Sequence, residues 1–230
     1  SVNGVFVDAL PQEAALARIL AWGRDRQSRF VTFSNVHVVT TGSRDEDYGR
    51  VLAGADLALP DGAPVAWMLR RLGFPGQPRL AGPDLTWLLC GRCEALGLPV
   101  YFYGSTPETL AALRERLQSA FPALHIAGTE SPPFRPLSDA EDAQAVARIN
   151  DSGAGLVFVG LGCPKQERWM AAHRGRVNSV MLGVGAAFDL HAGTARRAPP
   201  WMRRAGLEWL HRLASEPRRL MKRYLVTNTL

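Results

Sequence analysis

Residues 155–170 read GLVFVGLGCPKQERWM, and this stretch contains the pattern that decides the fold. A continuous apolar run ends at Gly160 and Gly162, polar side chains follow, and apolar residues with helical spacing then begin. Near-continuous apolar runs of this kind are typical of strands that are buried on both faces of a parallel sheet. The stretch therefore predicts a strand, a glycine-containing loop and a helix, with polar side chains at the helix N-terminus above a crevice.

The same alternation of strand and helix signals runs along most of the chain. Strands are predicted at 4–10, 29–35, 55–62, 98–106, 124–130, 154–162 and 177–189. Helical spacing of apolar residues predicts helices at 11–25, 36–47, 63–73, 83–97, 107–121, 139–153 and 164–175. Repeated strand–helix units predict an α/β fold, with a Rossmann-like parallel sheet and helices on both of its faces.

The size and composition of the chain fit this fold. Its 230 residues are enough for one large domain with an appendage, and 47% of them are hydrophobic against 21% charged. No apolar run approaches the ~20 residues of a membrane span, and no secretory signal opens the sequence. We therefore expect a cytoplasmic protein.

The positive charge is concentrated near the C-terminus. The net charge is +6, yet nine Arg or Lys residues lie between Arg196 and Arg223, where only Glu208 and Glu216 oppose them. This predicts an α/β domain at 1–194 and a basic, amphipathic helical appendage at 195–230. Such an appendage suits a membrane surface, a lid over a diphosphate, or a solvated helix pair. We predict no nucleic-acid partner, because no nucleic-acid recognition motif accompanies the charge.

Cys90 and Cys93 have the CxxC spacing of redox and zinc sites and so need a separate argument. They lie inside an apolar helical pattern, and no second cysteine pair completes a zinc site. We therefore interpret both as buried or semi-buried helix thiols. The histidines are scattered along the chain, and the sequence predicts neither a bound metal nor a cofactor.

Polar and glycine residues follow the predicted strands, where open α/β sheets bind ligands. Asp61 is placed to act as a general base for a hydroxyl, although an Asp-Gly pair can equally form a turn or cap a helix. The GLGCPKQE loop matches neither GxGxxG nor a Walker loop, but the Gln166 carboxamide suits sugar hydroxyls or an amide. The loop from Gly183 to Asp189 is a weak dinucleotide signal, in which Asp189 either holds a ribose or base or caps a helix.

Several segments together resemble one known family. They are LPDGAPVAWMLR, RLAGPDLTWLL, YFYGS, VFVGLGCPKQERWM, the Asn of TFSN, and GVGAAFDLHAGTARRAPPWMRRAGLEWLHRLASEPRRLMKRYL. Through these motifs the chain resembles the WecG/TagA/CpsF glycosyltransferases, glycosyltransferase family 26, from about Asn3 to Arg223. The last and longest motif is the most specific of the set.

The resemblance implies an inverting, metal-independent hexosyltransferase that uses a UDP-sugar donor. Its acceptor would be a polyprenyl-diphosphate-linked saccharide, and the enzyme would be peripheral on the inner face of the cell membrane. The implied pathways make teichoic acid, common antigen or exopolysaccharide. Residues 1–194 would then be the catalytic domain that binds the UDP-sugar, and the appendage would close over the diphosphate or contact the membrane.

The resemblance also implies residue roles. Asp61 falls on the family's catalytic base, and the C-terminal arginines thought to contact diphosphate and membrane fall on Arg212, Arg218, Arg219 and Arg223. Family members often have Thr where this chain has Phe33, so no role for that hydroxyl is carried over. With the neighbouring loops included, the predicted substrate-binding residues are Asn35, Gly62, Gly104, Ser105, Gly162, Gln166, Gly185 and Asp189.

An NAD(P)-binding Rossmann oxidoreductase is the alternative activity. Its incomplete glycine motifs and the missing ribose-binding carboxylate count against it. For a transferase, the sequence leaves the donor open between N-acetylmannosamine, its uronic acid and glucose types. The terminal sugar of the acceptor and a homo-oligomeric state are open as well.

Overall fold

The computed structural model describes residues 1–195, 197–199, 201–202, 210–211 and 213. The strands are β1 (Arg29–Ser34), β2 (Leu57–Pro60), β3 (Val100–Gly104), β4 (Ile126–Glu130), β5 (Leu156–Gly160) and β6 (Val180–Gly183). The helices are α1 (Gln12–Arg24), α2 (Val36–Arg44), α3 (Glu46–Ala53), α4 (Ala63–Arg71), α5 (Gly82–Leu96), α6 (Pro107–Ala120), α7 (Asp139–Asp151), α8 (Lys165–His173) and α9 (Ala187–Ala192).

The six strands form one open sheet in the order β2-β1-β6-β5-β3-β4, and every pairing is parallel. The predicted α/β class with a parallel, Rossmann-like sheet is thereby confirmed. The order differs from the 3-2-1-4-5-6 order of the classic dinucleotide-binding fold. The strand order could not be predicted from the sequence, because it depends on pairing between segments that are distant along the chain.

Helices cover both faces of the sheet, as predicted. On one face α1, α5, α6 and α9 pack against the strands through residues such as Leu89, Leu113 and Phe188. On the other face α7 and α8 contribute Ile149 and Met170, and α2, α3 and α4 form an adjoining cluster. Successive strand residues point to opposite faces of a sheet, so strands buried on both sides must be apolar throughout, which explains their continuous apolar runs.

The helix boundaries follow local sequence signals. Thr106 caps α6 by accepting a hydrogen bond from the Thr109 N–H (3.2 Å), directly before Pro107 in the first turn. Ser138 and Glu141 form a capping box at the start of α7. Each arrangement satisfies N–H groups that the first turn of a helix leaves without a helical partner.

Three elements differ from their prediction. Residues 4–10 are not a strand, although the Asp8 N–H donates to the Ala58 carbonyl (2.8 Å) at the β2 edge. The helix expected at 36–47 divides at Asp45, which ends α2 and caps α3 by accepting from the Tyr48 N–H. The strand expected at 177–189 is only β6, and the short helix α9 follows it.

The predicted appendage at 195–230 lies mostly outside the described residues, so the domain boundary stays a prediction. Cys90 and Cys93 are free, fully buried thiols inside α5, as predicted. Burial raises the pKa of Cys93 to about 12. Within the described ranges, no helix combines the length and apolar character needed to cross a bilayer.

Candidate active site

The connections that leave the neighbouring strands β1 and β6 go to opposite faces of the sheet. β1 leads to α2, which packs with α3 and α4, whereas β6 leads to α9, which packs against α5 and α6. This divergence opens a crevice at the carboxyl ends of the strands, the usual ligand site of open α/β sheets. Asn35 follows β1 there, Asp61 follows β2, and Gly185 lies just beyond β6.

Asp61 is held by the backbone on both sides of it. Its N–H donates to the Ser34 carbonyl (3.1 Å), and the Leu80 N–H donates to the Pro60 carbonyl (2.9 Å). The second hydrogen bond brings Arg79 alongside, with its Nε 3.9 Å from Asp61 Oδ1. The two side chains are 20% and 22% exposed. The carboxylate therefore lies beside a cation that favours its ionised form and still reaches solvent, as a general base must.

Asn35 lies next to Asp61 and caps α2. Its Oδ1 accepts from the Val38 N–H (3.1 Å), so its Nδ2 group is the part that can donate to a ligand. Gly62 has a φ of 94°, and a Cβ built on it would lie 3.8 Å from the Asn35 Cβ. A residue with a side chain would be strained at that φ. Glycine adopts it freely, and α4 can therefore begin close to Asn35.

Gln166 joins the loops that follow β5 and β6. Its Nε2 donates to the Gly183 carbonyl (2.8 Å) and to the Glu167 carboxylate (2.8 Å), and its Oε1 accepts from the Gly162 N–H (3.2 Å). The residue is only 5% exposed. Both amide hydrogens are thus used within the protein, and the structure shows a loop-joining role for Gln166. A direct contact with substrate stays a prediction.

Beneath Gln166 the structure places a buried polar cluster. Glu167 is fully buried, and the Tyr48 hydroxyl lies 3.3 Å from the Cys163 sulfur. Burial, together with the negative charge of Glu167 and with Cys163, raises the pKa of Tyr48 far above its ordinary value. The phenol therefore stays protonated, and the cluster ties α3 to the loop that follows β5.

Gly104 and Ser105 lie with Gly160 where β3 and β5 end. The Ser105 N–H donates to the Gly160 carbonyl (3.1 Å), and the Ser131 hydroxyl donates to the Ser105 carbonyl (2.7 Å). Gly104 has a φ of +123°, and a Cβ on it would lie 2.6 Å from the Gly160 carbonyl. This close approach of two backbones requires glycine at position 104. Substrate binding by this turn stays a prediction.

Gly185 and Asp189 lie on the connection that leaves β6. Gly185 has a φ of +53°, and a Cβ built on it would lie 3.5 Å from Gln166 Oε1. Asp189 lies in the first turn of α9, and its carbonyl accepts from the Thr194 hydroxyl (3.1 Å) and the Ala195 N–H (3.0 Å). The structure thus brings Gly185 to Gln166. The predicted ribose or base contact of the Asp189 carboxylate stays a prediction.

A separate cavity of about 650 Å³ opens between α5, α6 and α9. Arg197 pairs with Asp84 at its edge (2.7 Å), and burial lowers the pKa of His191, which donates to the Pro83 carbonyl. None of the predicted site residues that the structure describes lines it, so we assign the candidate site to the strand ends. The described residues that line the cavity are Asp84, Trp87, Leu88, Arg116, Ser119, Ala120, Leu190, His191 and Arg197.

The structure adds one residue that sequence reasoning missed. Arg79 lies beside Asp61 because the chain returns from α4 to the end of β2 before α5 begins. Its only sequence signal is that it is the sole charged residue between Leu72 and Pro83.

The predicted arginines of the appendage, Arg212, Arg218, Arg219 and Arg223, lie outside the described residues. Among the residues that the structure does describe, no group of three or more His, Cys, Asp and Glu side chains could hold a metal ion.

Two comparisons with known proteins bear on this site. The family model described as "Glycosyl transferase WecG/TagA/CpsF family" matches residues 1–230. A Bacillus spizizenii protein named N-acetylglucosaminyldiphosphoundecaprenol N-acetyl-beta-D-mannosaminyltransferase is 33% identical over 192 residues, which cover 83% of this chain and 72% of that protein. The chain thus belongs to the WecG/TagA/CpsF family and is a glycosyltransferase.

Proposed function

We propose that the protein transfers N-acetylmannosamine from a UDP-sugar to an N-acetylglucosamine carried on a polyprenyl diphosphate, with inversion and without a metal ion. The observation that carries this proposal is the Asp61–Arg79 pair at the carboxyl ends of the strands. The name of the similar Bacillus spizizenii protein supports the choice of sugar and acceptor. The reaction would serve the synthesis of a cell-surface polymer at the inner face of the membrane.

In the proposed reaction, Asp61 accepts the proton of the acceptor hydroxyl as the hydroxyl oxygen attacks the anomeric carbon. The bond from that carbon to the UDP oxygen breaks, and UDP leaves from the opposite face, which inverts the configuration. The positive charge of Arg79, whose Nε lies 3.9 Å from Asp61 Oδ1, favours the ionised carboxylate before proton transfer. Asp61 would thus act directly on the reacting hydroxyl, whereas Arg79 would act through its charge on Asp61.

The negative charge that develops on the departing diphosphate needs donors and cations. The N-termini of α4 and α8 face this edge of the sheet, and no side chain caps either helix. Unsatisfied N–H groups at helix N-termini favour anions. We assign Arg212, Arg218, Arg219 and Arg223 of the appendage to the same charge, because guanidinium groups pair well with phosphate oxygens.

The remaining predicted residues would shape the donor site. Gly62, Gly162 and Gly185 have positive φ values, and because glycine has no Cβ, a ligand could approach the backbone there. Asn35 would donate through Nδ2, and Gly104 and Ser105 would line the turn after β3. Gln166 would hold the loop geometry and offer its Oε1 to a sugar or base, and Asp189 would hold the ribose or base.

The Asp61→Asn variant tests this mechanism. With UDP-N-acetylmannosamine and a short-chain lipid-diphosphate acceptor, we expect kcat to fall by about 10²–10⁴, the usual contribution of a general base. The thermal midpoint should change little, because Asn has the same shape. Asp151→Asn, at an exposed position at the end of α7, is the matched control. Near-normal turnover by a folded Asp61→Asn protein would refute the role of Asp61.

The identity of the donor can be tested by thermal shift. We expect UDP-N-acetylmannosamine to stabilise the protein more than UDP-glucose or UDP-glucuronic acid, and to do so without Mg²⁺, because a ligand that binds the folded state raises the apparent stability. Stabilisation by NAD or NADP alone would overturn the proposal. Turnover unchanged after removal of residues 207–230 would overturn the role of the appendage.

A further inference from the structure

Helix α4 has apolar residues on both of its sides. Val65, Ala66 and Leu69 face the core, while Trp67 and Met68 are exposed on the outer side, at 49% and 37%. A surface helix of a globular protein normally has polar residues on its outer side. The outward apolar residues of α4 therefore need a partner or a function of their own.

The exposed apolar surface continues into the turn after α4. Leu72 is 51% exposed and Phe74 48%, and the chain stays exposed through Gly76. Arg71 lies over the Trp67 ring, 5.0 Å from its centroid. We call this surface the α4 patch, defined by Trp67, Met68, Arg70, Arg71, Leu72 and Phe74.

The charge of the α4 patch has one sign. Arg70 and Arg71 are both exposed, and the sequence has no Asp or Glu between Gly62 and Pro83. A surface that combines Trp, Phe, Leu and Met with arginines is the composition of proteins that lie in the headgroup region of a bilayer. The arginines would complement anionic lipids, while the apolar side chains enter the boundary of the acyl chains.

We propose that the α4 patch binds the surface of an anionic lipid bilayer and turns the Asp61 end of the sheet toward it. The inference rests on the proposed function, in which the acceptor is attached to a lipid. Gly62 caps α4 directly after Asp61, and nine helical residues span only about 14 Å. A bilayer against α4 would therefore lie within reach of an acceptor whose hydroxyl is at Asp61.

A second copy of the chain fits this surface less well. In a two-fold symmetric interface a patch meets itself, so Arg70 and Arg71 would face the same arginines of the other copy. The patch contains no carboxylate to pair with them. Like charges that face each other across an interface cost binding energy, whereas anionic lipid headgroups supply the missing negative charge.

Co-sedimentation of the full chain with lipid vesicles tests the proposal. Vesicles of phosphatidylglycerol and phosphatidylcholine are compared with vesicles of phosphatidylcholine alone, with no sugar donor or acceptor present. Each arginine near an anionic surface contributes about fivefold to partition, so we expect the double variant Arg70→Gln/Arg71→Gln to lose about thirtyfold. Arg18→Gln/Arg114→Gln, at exposed positions on α1 and α6, should lose less than about threefold.

The apolar part of the patch is tested by Trp67→Ser/Phe74→Ser, for which we expect partition to fall at least about tenfold. The matched control is Leu96→Ser/Phe134→Ser, which removes two other exposed apolar side chains and should leave partition nearly unchanged. Brominated lipids should quench the tryptophan fluorescence of the parent protein, and they should quench that of the Trp67→Phe variant less. Thermal denaturation verifies that each variant is folded.

Unchanged vesicle binding in both patch variants would overturn the proposal, because the appendage would then account for all membrane binding. Conversion of a dimer to a monomer by Trp67→Ser/Phe74→Ser, with unchanged vesicle binding, would also overturn it in favour of a second copy. Since these measurements contain no sugar substrates, failure of the proposed sugar transfer leaves their outcome intact. That failure would appear separately, as absent turnover of a short-chain acceptor by the parent protein.

Discussion

Replacement of Gln166 by leucine separates two roles for this residue, joining the loops and contacting the substrate. The side chain makes hydrogen bonds to the Gly162 N–H, the Gly183 carbonyl and the Glu167 carboxylate. Leucine is similar in size but has no polar atoms. Because Gln166 is only 5% exposed, water can replace few of the lost contacts.

The expected loss of stability follows from these three bonds. A typical hydrogen bond contributes about 1 kcal/mol, and a buried partner left without one costs about 1–3 kcal/mol. Gln166→Leu leaves three such partners without their bond, so we expect a loss of about 3–9 kcal/mol in the free energy of unfolding. Whole domains are stable by only about 5–15 kcal/mol, so this one substitution would remove a large part of the total.

Urea denaturation followed by circular dichroism measures the change, and donor KM is measured on the same preparations. Gln118→Leu, at an exposed position on α6, is the control and should stay within about 0.5 kcal/mol of the parent. If Gln166→Leu kept its unfolding free energy within that range while KM rose, the loop-joining argument would be refuted. Gln166 would then act through substrate contact alone.

Two further predictions concern the backbone contact at Gly104 and the accessibility of the three cysteines. Gly104→Ala should lower the free energy of unfolding by at least about 3 kcal/mol, because the backbone conformation at position 104 is strained for alanine and the new Cβ meets the neighbouring backbone. Gly153→Ala, where a Cβ would lie in open space, should lower it by only about 1 kcal/mol. Equal losses in urea denaturation would contradict this. A thiol reagent at pH 8 should modify Cys163 in the folded protein and reach Cys90 and Cys93 only after unfolding in guanidinium chloride. Rapid modification of Cys90 and Cys93 in the folded protein would contradict the burial of these two thiols.

Much of the fold could be predicted from sequence because strands buried on both faces leave a simple signal. The run Leu156–Gly160 is apolar and buried along nearly its whole length. Its continuous apolar sequence was therefore enough to predict a buried strand. The same rule failed at 4–10, where apolar residues are buried without a full strand pairing. Apolar character predicts burial, and only the available partners decide whether a buried segment joins a sheet.

The site was harder to predict because its contacts join segments that are distant in sequence. Asp61 could be selected from its position after a strand, but nothing local relates it to Arg79, 18 positions later. That pairing depends on the hydrogen bond from Leu80 to Pro60. Gln166 was selected for its polar amide, and the structure shows that the amide is used largely to hold Gly162 and Gly183. The residue types thus indicated which chemical groups the site contains, whereas the tertiary contacts determine which partners those groups have.

The order of the strands has a consequence for where the two substrates lie. Asp61 follows β2 at one edge of the sheet, and the glycine-containing loops follow β6, β5 and β3 toward the other. With Asp61 as the proposed general base, the acceptor hydroxyl would lie at this residue, and the acceptor would approach from the β2 edge, where α4 follows β2. We expect the proposed UDP-sugar donor to bind at the glycine loops beyond β1, where backbone atoms can approach a diphosphate. The membrane contact proposed for α4 and the catalytic role proposed for Asp61 therefore require the same direction of entry for the acceptor.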